Sequence, residues 1–331
     1  MLSKSSIINE VKPLNLLEER QKFFADTSYN PQFVYQRSID PAELTVWGVP
    51  KEVFFRHALE MMAYWNRQGK DEYPKTFSPR VTQEFVVQEV EAFNSRYNLS
   101  QPVSTLFSET TIARCMLKGN TLVLRANLDY TQNTFRDVMR HELETHYLRR
   151  YNHALQPWGK EKFPDFVFRR TEEGLANLHT FLFRPKKLLF KTYRTYVATY
   201  YAQRGSFVDV FNQMVALGIS EETSFNLALR TKRGIEDTSQ PGGLTKDVSY
   251  LEGSVAVWAW LQQSENDPKD LYLGRISLEQ IPELKPESTT EGLLYPSFFT
   301  DMTEYREHIT VIGKKNHFDT LIAHVLENEE E

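Results

Sequence analysis

Residues 140–150 read RHELETHYLRR and carry the pattern in this chain best able to do chemistry. His141 and His146 offer imidazole nitrogens, and Glu142 places a carboxylate beside the first of them. Two histidines and a glutamate on one helix are the parts of a zinc-dependent hydrolase, in which the histidines hold the ion and the glutamate moves protons. The common form of this motif sets its histidines four residues apart; here the interval is five. On an ideal α-helix that interval leaves the two side chains about 140° apart, too far round to share one ion. A π-type turn, with about 4.4 residues per turn, returns positions i and i+5 to one face. The segment therefore predicts a π-bulge across 141–146 if it binds metal at all.

A catalytic zinc needs a third protein donor and one position left for water. Residues 171–176, TEEGLA, open a helical pattern, and either Glu172 or Glu173 at that helix start could complete a two-His, one-Glu set. Thr131 is a plausible N-cap for the motif helix, and Phe135, Val138, Met139 and Leu143 give it an apolar stripe.

Helical spacing also runs through 14–25, 51–67 (apolar at 54, 55, 58, 61, 62 and 65), 81–97, 131–152, 171–183, 189–203, 206–217, 220–231 and 247–263, with a last helix over 316–328. Between them, two β-like runs flank Gly119-Asn120, a hairpin signal that places a small sheet within 102–128. The stretch 264–314 reads as mixed. The expected fold class is α+β, predominantly helical, with a small β element before the HExxxH helix. The expected organisation is a leader and helix over 1–24, then one catalytic domain over 25–331 with a C-terminal helical extension.

Composition narrows the class. The 331 residues are 40% hydrophobic and 25% charged, which excludes wholesale disorder. Cys115, the single cysteine, excludes Cys-type zinc fingers, iron–sulfur clusters and an internal disulfide. A net charge of −5 argues against a nucleic-acid binder. No apolar run approaches the length of a bilayer span, and the N-terminus has no signal-peptide core, so a cytoplasmic location is expected. A di-iron bundle would need paired Glu-x-x-His segments, which are absent from the sequence.

Several separated blocks carry a resemblance. HELETHYLRRYN, QPW at 156–158, TEEGLANLHTFLF, RTKRGIEDTSQPGGLTKDVSYLEG at 230–253 and YNPQFVYQ at 29–36 together resemble the microtubule-associated tyrosine carboxypeptidases. Those zinc metallopeptidases remove the C-terminal tyrosine of α-tubulin. The resemblance implies a gluzincin-like domain with one zinc ion per chain held by His141, His146 and Glu173, and Glu142 as the catalytic acid/base. It also implies the α-tubulin C-terminal tail, or the microtubule, as partner. The family usually has a small residue where Glu144 stands; Glu144 is expected to face solvent.

An exopeptidase must hold a free carboxylate, which arginine does best through paired hydrogen bonds. Arg230 and Arg233 are the leading candidates and Arg169-Arg170 the second choice. Tyr250 and Lys246 are candidates to stabilise the oxyanion. Arg149, Arg150, Arg184, Lys186, Lys187, Lys191, Arg194, Lys232 and Arg233 could form a basic approach path for an acidic tail. The alternatives are a metallopeptidase of different specificity and a catalytically silent regulatory protein.

Overall fold

The computed structural model describes residues 7–68, 78–99, 101–109, 114–161 and 163–329. Along the chain run α1 (Ile7–Glu10), α2 (Leu16–Ala25), α3 (Pro41–Leu44), α4 (Glu52–Gln68) and α5 (Gln83–Tyr97). Three strands follow, β1 (Ser104–Ser108), β2 (Cys115–Lys118) and β3 (Thr121–Arg125). Next come α6 (Gln132–His141), a π-helical segment (Glu142–Tyr147) and α7 (Leu148–Leu155). Then follow α8 (Asp165–Phe181), α9 (Phe190–Ala202), α10 (Phe207–Ala216), α11 (Glu221–Lys232) and α12 (Val248–Gln262). The chain ends with α13 (Ile281–Leu284), α14 (Met302–Lys315) and α15 (Phe318–Glu329). The architecture is mostly helical with one three-stranded sheet, an α+β arrangement. Among the described residues no helix is long and apolar enough to cross a membrane.

The Gly119-Asn120 hairpin forms as its sequence requires: β2 and β3 pair antiparallel with Lys118 opposite Thr121, and Gly119 takes φ +55°. The start of the expected β run, residues 110–113, lies outside the described residues, as do residues 1–6 of the leader. β1 was not foreseen. Its five residues STLFS pair parallel with β3, giving the order β1-β3-β2, a non-local pairing that no short-range signal announces.

Contacts divide the chain into two units. The first holds α1–α4 and α9–α11, and the second holds α5, the sheet, α6–α8, α13 and α14; the divisions fall within α12 and α15. In the first unit α4 packs on α9, and Phe54, Phe55, Ala58, Met61 and Met62 are buried as their spacing predicts. Phe55 stacks on Tyr200 at 3.8 Å between ring centroids, and Phe23 of α2 sits edge-on to Phe207 and Phe211 of α10.

In the second unit α6 and the π segment pack against α8, burying Phe135, Leu143, Leu148, Leu175, Ala176 and Leu178. Glycines bring the backbones of α8 and the second-unit part of α12 into direct contact. A Cβ on Gly174 would lie 2.1 Å from the Gly253 carbonyl carbon, and one on Gly253 would lie 2.0 Å from Arg170 O. Any larger residue at either position would force the helices apart.

Two elements differ from expectation. α8 begins at Asp165, after Pro164, not at 171. Arg169 pairs with Asp165 one turn back and Glu173 one turn on, and these i,i+4 links extend the helix N-terminally. Glu172 and Glu173 therefore lie two turns inside the helix, not at its start. The mixed stretch 264–314 contains α14, a full helix capped by the Asp301 side chain on Glu304 N–H.

Candidate metal centre

The five-residue interval resolves as the π-turn it demands. Thr131 caps α6 through the N–H of Thr134, and the helix runs to His141 before widening. After the π segment, Leu148 N–H reaches Leu143 O, five residues back. The wider turn places the rings of His141 and His146 4.8 Å apart and nearly perpendicular. α8 brings Glu173 to face both. Its Oε2 lies 3.8 Å from His141 Nε2 and 3.7 Å from His146 Nε2. One donor atom from each of the three residues lies within 4.8 Å of the other two.

Each donor has its orientation fixed from behind. Ala176 O lies 3.1 Å from His141 Nδ1 and can only accept, so Nδ1 carries the proton and Nε2 keeps its lone pair. Thr180 Oγ1 sits at 3.0 Å from the same nitrogen. Glu173, Ala176 and Thr180 follow the i, i+3, i+7 spacing of one helix stripe. His146 Nδ1 donates to Glu172 Oε1 at 3.1 Å. Glu173 Oε1 accepts from Arg169 Nη1 at 2.6 Å, which leaves Oε2 turned to the histidines.

The electrostatics follow from the same contacts. Burial opposes charge on His146, but Glu172 and Glu173 outweigh it and raise its pKa to about 9. Burial likewise opposes the Glu172 carboxylate, but Arg275, His146 and Arg149 hold it well below the usual range. Arg149 is wholly buried; it donates to Leu271 O at 2.8 Å and Ile276 O at 2.7 Å and faces Glu172 at 3.5 Å. Glu142, the second residue of the motif, is half-buried. Burial pushes the Cys115 thiol of β2 up, and the Glu142 charge adds to that shift.

Several sequence expectations change. Glu144 does not face solvent. It is 5% exposed and accepts from Arg96 Nη1 at 3.1 Å, Tyr97 OH at 3.4 Å and Ser297 N–H at 3.2 Å, a partner set that compensates the buried charge. Arg169 is engaged with Asp165 and Glu173 and serves the donor set. Arg149, Lys187 and Lys232 are buried and bonded to backbone carbonyls, so they leave the basic approach path. Arg230, Arg233, Lys246 and Tyr250 come together in the first unit. Arg230 forms a paired bridge to buried Asp247 at 2.5 and 2.7 Å, Arg233 Nε donates to Arg230 O, and Lys246 Nζ lies 5.3 Å from the Tyr250 ring centroid. Sequence reasoning missed Thr180, Arg275 and the orienting duty of Glu172. Only Glu172 had a signal, its place beside Glu173.

Two imidazoles and a carboxylate converge from two packed helices, a set that could hold a metal ion, and a second glutamate follows the first histidine in sequence. The chain belongs to the microtubule-associated tyrosine carboxypeptidase family, whose sequence model matches residues 21–318. It is 29% identical over 320 residues to microtubule-associated tyrosine carboxypeptidase 1 of Homo sapiens, covering 93% of this chain and 68% of that protein. It is 28% identical over 330 residues to MATCAP2 of Mus musculus, covering 95% of this chain and 62% of that protein. Against MATCAP2 of Homo sapiens it is 30% identical over 324 residues, 95% of this chain and 53% of that one. The chain thus spans less than two thirds of the MATCAP2 relatives.

Proposed function

We propose that this chain is a zinc-dependent carboxypeptidase that removes a C-terminal tyrosine, or a similar residue, from an acidic protein tail, with α-tubulin as the substrate. The observation that carries the reading is the convergence of His141, His146 and Glu173 across a π-turn, with Glu142 next to His141 in the chain, in a member of this family. The donor chemistry and spacing support a zinc ion, all three donor atoms lying within 4.8 Å of one another. Tetrahedral donors at about 2.0–2.1 Å from zinc lie about 3.3–3.4 Å from one another, and the Glu173 Oε2 to Nε2 separations of 3.7 and 3.8 Å need only a small inward shift.

When bound, zinc supplies an electrophile for the scissile carbonyl and makes water acidic enough to act near neutral pH. Glu142 accepts the proton of the attacking water and returns it to the leaving amine. Arg169, Ala176 and Glu172 keep the three donors in place while this happens. Arg150 and Arg275, both partly exposed, add positive charge near Glu172, which suits an acidic tail. Arg230 and Arg233 remain the candidates for a substrate carboxylate, and Lys246 and Tyr250 those for the oxyanion, on their residue types.

Glu142→Ala tests the mechanism. The variant should retain one zinc per chain and lose all release of tyrosine from a tubulin-tail peptide, followed by mass spectrometry beside wild type. An amidated peptide should resist the wild type. Full activity in Glu142→Ala would refute the assignment.

A further inference from the structure

The π-turn must be held open, because an α-helical 141–147 would separate the two histidines by about 140°. Two sets of contacts do this from outside the helix. In an α-helix Leu148 N–H would bond Glu144 O; here it reaches Leu143 O, and Glu144 O accepts from Tyr272 OH at 2.7 Å. At the other end of the segment Thr145 Oγ1 donates to Arg140 O, five residues back, at 2.7 Å.

That hydroxyl is itself held. With its hydrogen given to Arg140 O, Thr145 Oγ1 accepts from His179 Nδ1 at 2.8 Å. His179 Nε2 then accepts from Tyr305 OH at 3.1 Å. The relay runs one way, Tyr305 to His179 to Thr145 to Arg140 O, and His179 and Thr145 each use one donor and one acceptor in it. Burial pushes the His179 pKa well down, with the charges of His141 and Arg140 adding to it, so the ring stays neutral as the relay requires. Thr145, His179, Tyr272 and Tyr305 are all buried.

We propose that Thr145, His179, Tyr305 and Tyr272 are positioning residues that lock the π-turn and so allow His141 and His146 to share one ion. The inference rests on the metal reading above. Their hydrogen bonds run to one another and to the backbone carbonyls of Arg140 and Glu144, so their effect passes through the backbone of 140–148.

The test is zinc affinity by competition with a chromophoric chelator, with the visible absorption of the cobalt-loaded proteins as a signature of donor geometry. Thr145→Val keeps shape and removes the hydroxyl; Tyr272→Phe and Tyr305→Phe remove one hydroxyl each. Each should weaken zinc binding by about 10–100-fold, the range for lost outer-shell partners of a metal site, and alter the cobalt spectrum. Thr145→Ser keeps the hydroxyl and should restore affinity and spectrum. Phe23→Leu, a buried change in the other unit, should lower thermal stability without moving either readout. If Thr145→Val fails to fold, the two tyrosine variants still decide. Wild-type zinc affinity and cobalt spectrum in all three hydroxyl variants would overturn the lock alone. No zinc on the wild-type protein would overturn the metal reading, and the lock with it.

Discussion

Glu172 and Glu173 are adjacent, equally buried and differently employed, and neutralising each in turn separates their duties. Glu173→Gln removes the charged atom that faces both Nε2 positions at 3.7 and 3.8 Å, so zinc should no longer bind at one ion per chain. Glu172→Gln acts differently. The amide oxygen still accepts from His146 Nδ1, so the ring keeps its direction, and what disappears is the negative charge between Arg149 and Arg275. Breaking a buried ion pair costs about 3–5 kcal/mol. Arg149 keeps its bonds to Leu271 O and Ile276 O, and Arg275 remains 32% exposed, so the lower end of that range is expected. Zinc affinity should fall by about 10–100-fold, as for other second-layer carboxylates. Denaturant unfolding of zinc-free protein reads the first number, and chelator competition reads the second. Loss of zinc in Glu172→Gln with retention in Glu173→Gln would reverse the two assignments. Retention in both would refute a three-donor centre.

Gly174→Ala should destabilise the protein by about 1–3 kcal/mol or more, and should also weaken zinc binding, because its Cβ meets the Gly253 backbone beside Glu173; unchanged urea unfolding would contradict the close packing. Arg233→Ala should raise KM for a free-carboxylate peptide with kcat preserved, whereas Arg230→Ala should also lose about 3 kcal/mol of stability, because buried Asp247 depends on it; an unchanged KM in both removes them from carboxylate binding. Lys232 is buried, and desolvation lowers its pKa to about 8. A depressed lysine pKa means that the folded chain bears the cost of the charge below pH 8 and is relieved of it as pH rises toward 10.5, so wild type should gain stability over Lys232→Met across that window, by at most about 3 kcal/mol. Three backbone carbonyls near Nζ oppose the shift, and a flat difference in urea midpoints would mean they prevail. Tyrosine release should fall with added salt if Arg150 and Arg275 steer an acidic tail; salt-independent turnover would exclude steering.

Much of this was legible in residue types and intervals. Helix periodicity gave α4 and α10 because each buries a stripe that repeats every three to four residues, whereas α9 and α12, also anticipated, are buried on nearly every side. The π-turn could be read because a five-residue interval between two histidines that must share one face admits few other solutions. β1 could not, since its partner β3 is reached only after β2 and the signal for pairing is non-local. The early start of α8 was hidden because its support comes from the ion pairs of Arg169, and charge pairing is invisible to apolar periodicity. Surface and interior charge were confused for the same reason. Glu144, Arg149 and Lys232 look like solvated residues in a list, and only their partners in space make burial tolerable.

The five-residue spacing also explains why so many buried polar groups crowd this one region. A turn wider than α leaves backbone groups without their usual helical partners, and buried backbone groups without partners are costly. Thr145 and Tyr272 supply two such partners, at Arg140 O and Glu144 O. His179 and Tyr305 are then required by Thr145, as Arg149 and Arg275 are required by Glu172. Each polar side chain commits the next, outward from the two histidines to α14 and to the segment holding Tyr272 and Arg275. The C-terminal third of the second unit, which carries no motif of its own, thereby acquires a reason for its tyrosines and arginine: they complete the polar shell that lets 141–147 depart from an α-helix. A change that relieved the π-turn would leave those groups buried and unmatched, so the geometry of the donor pair and the stability of this shell are expected to fall together.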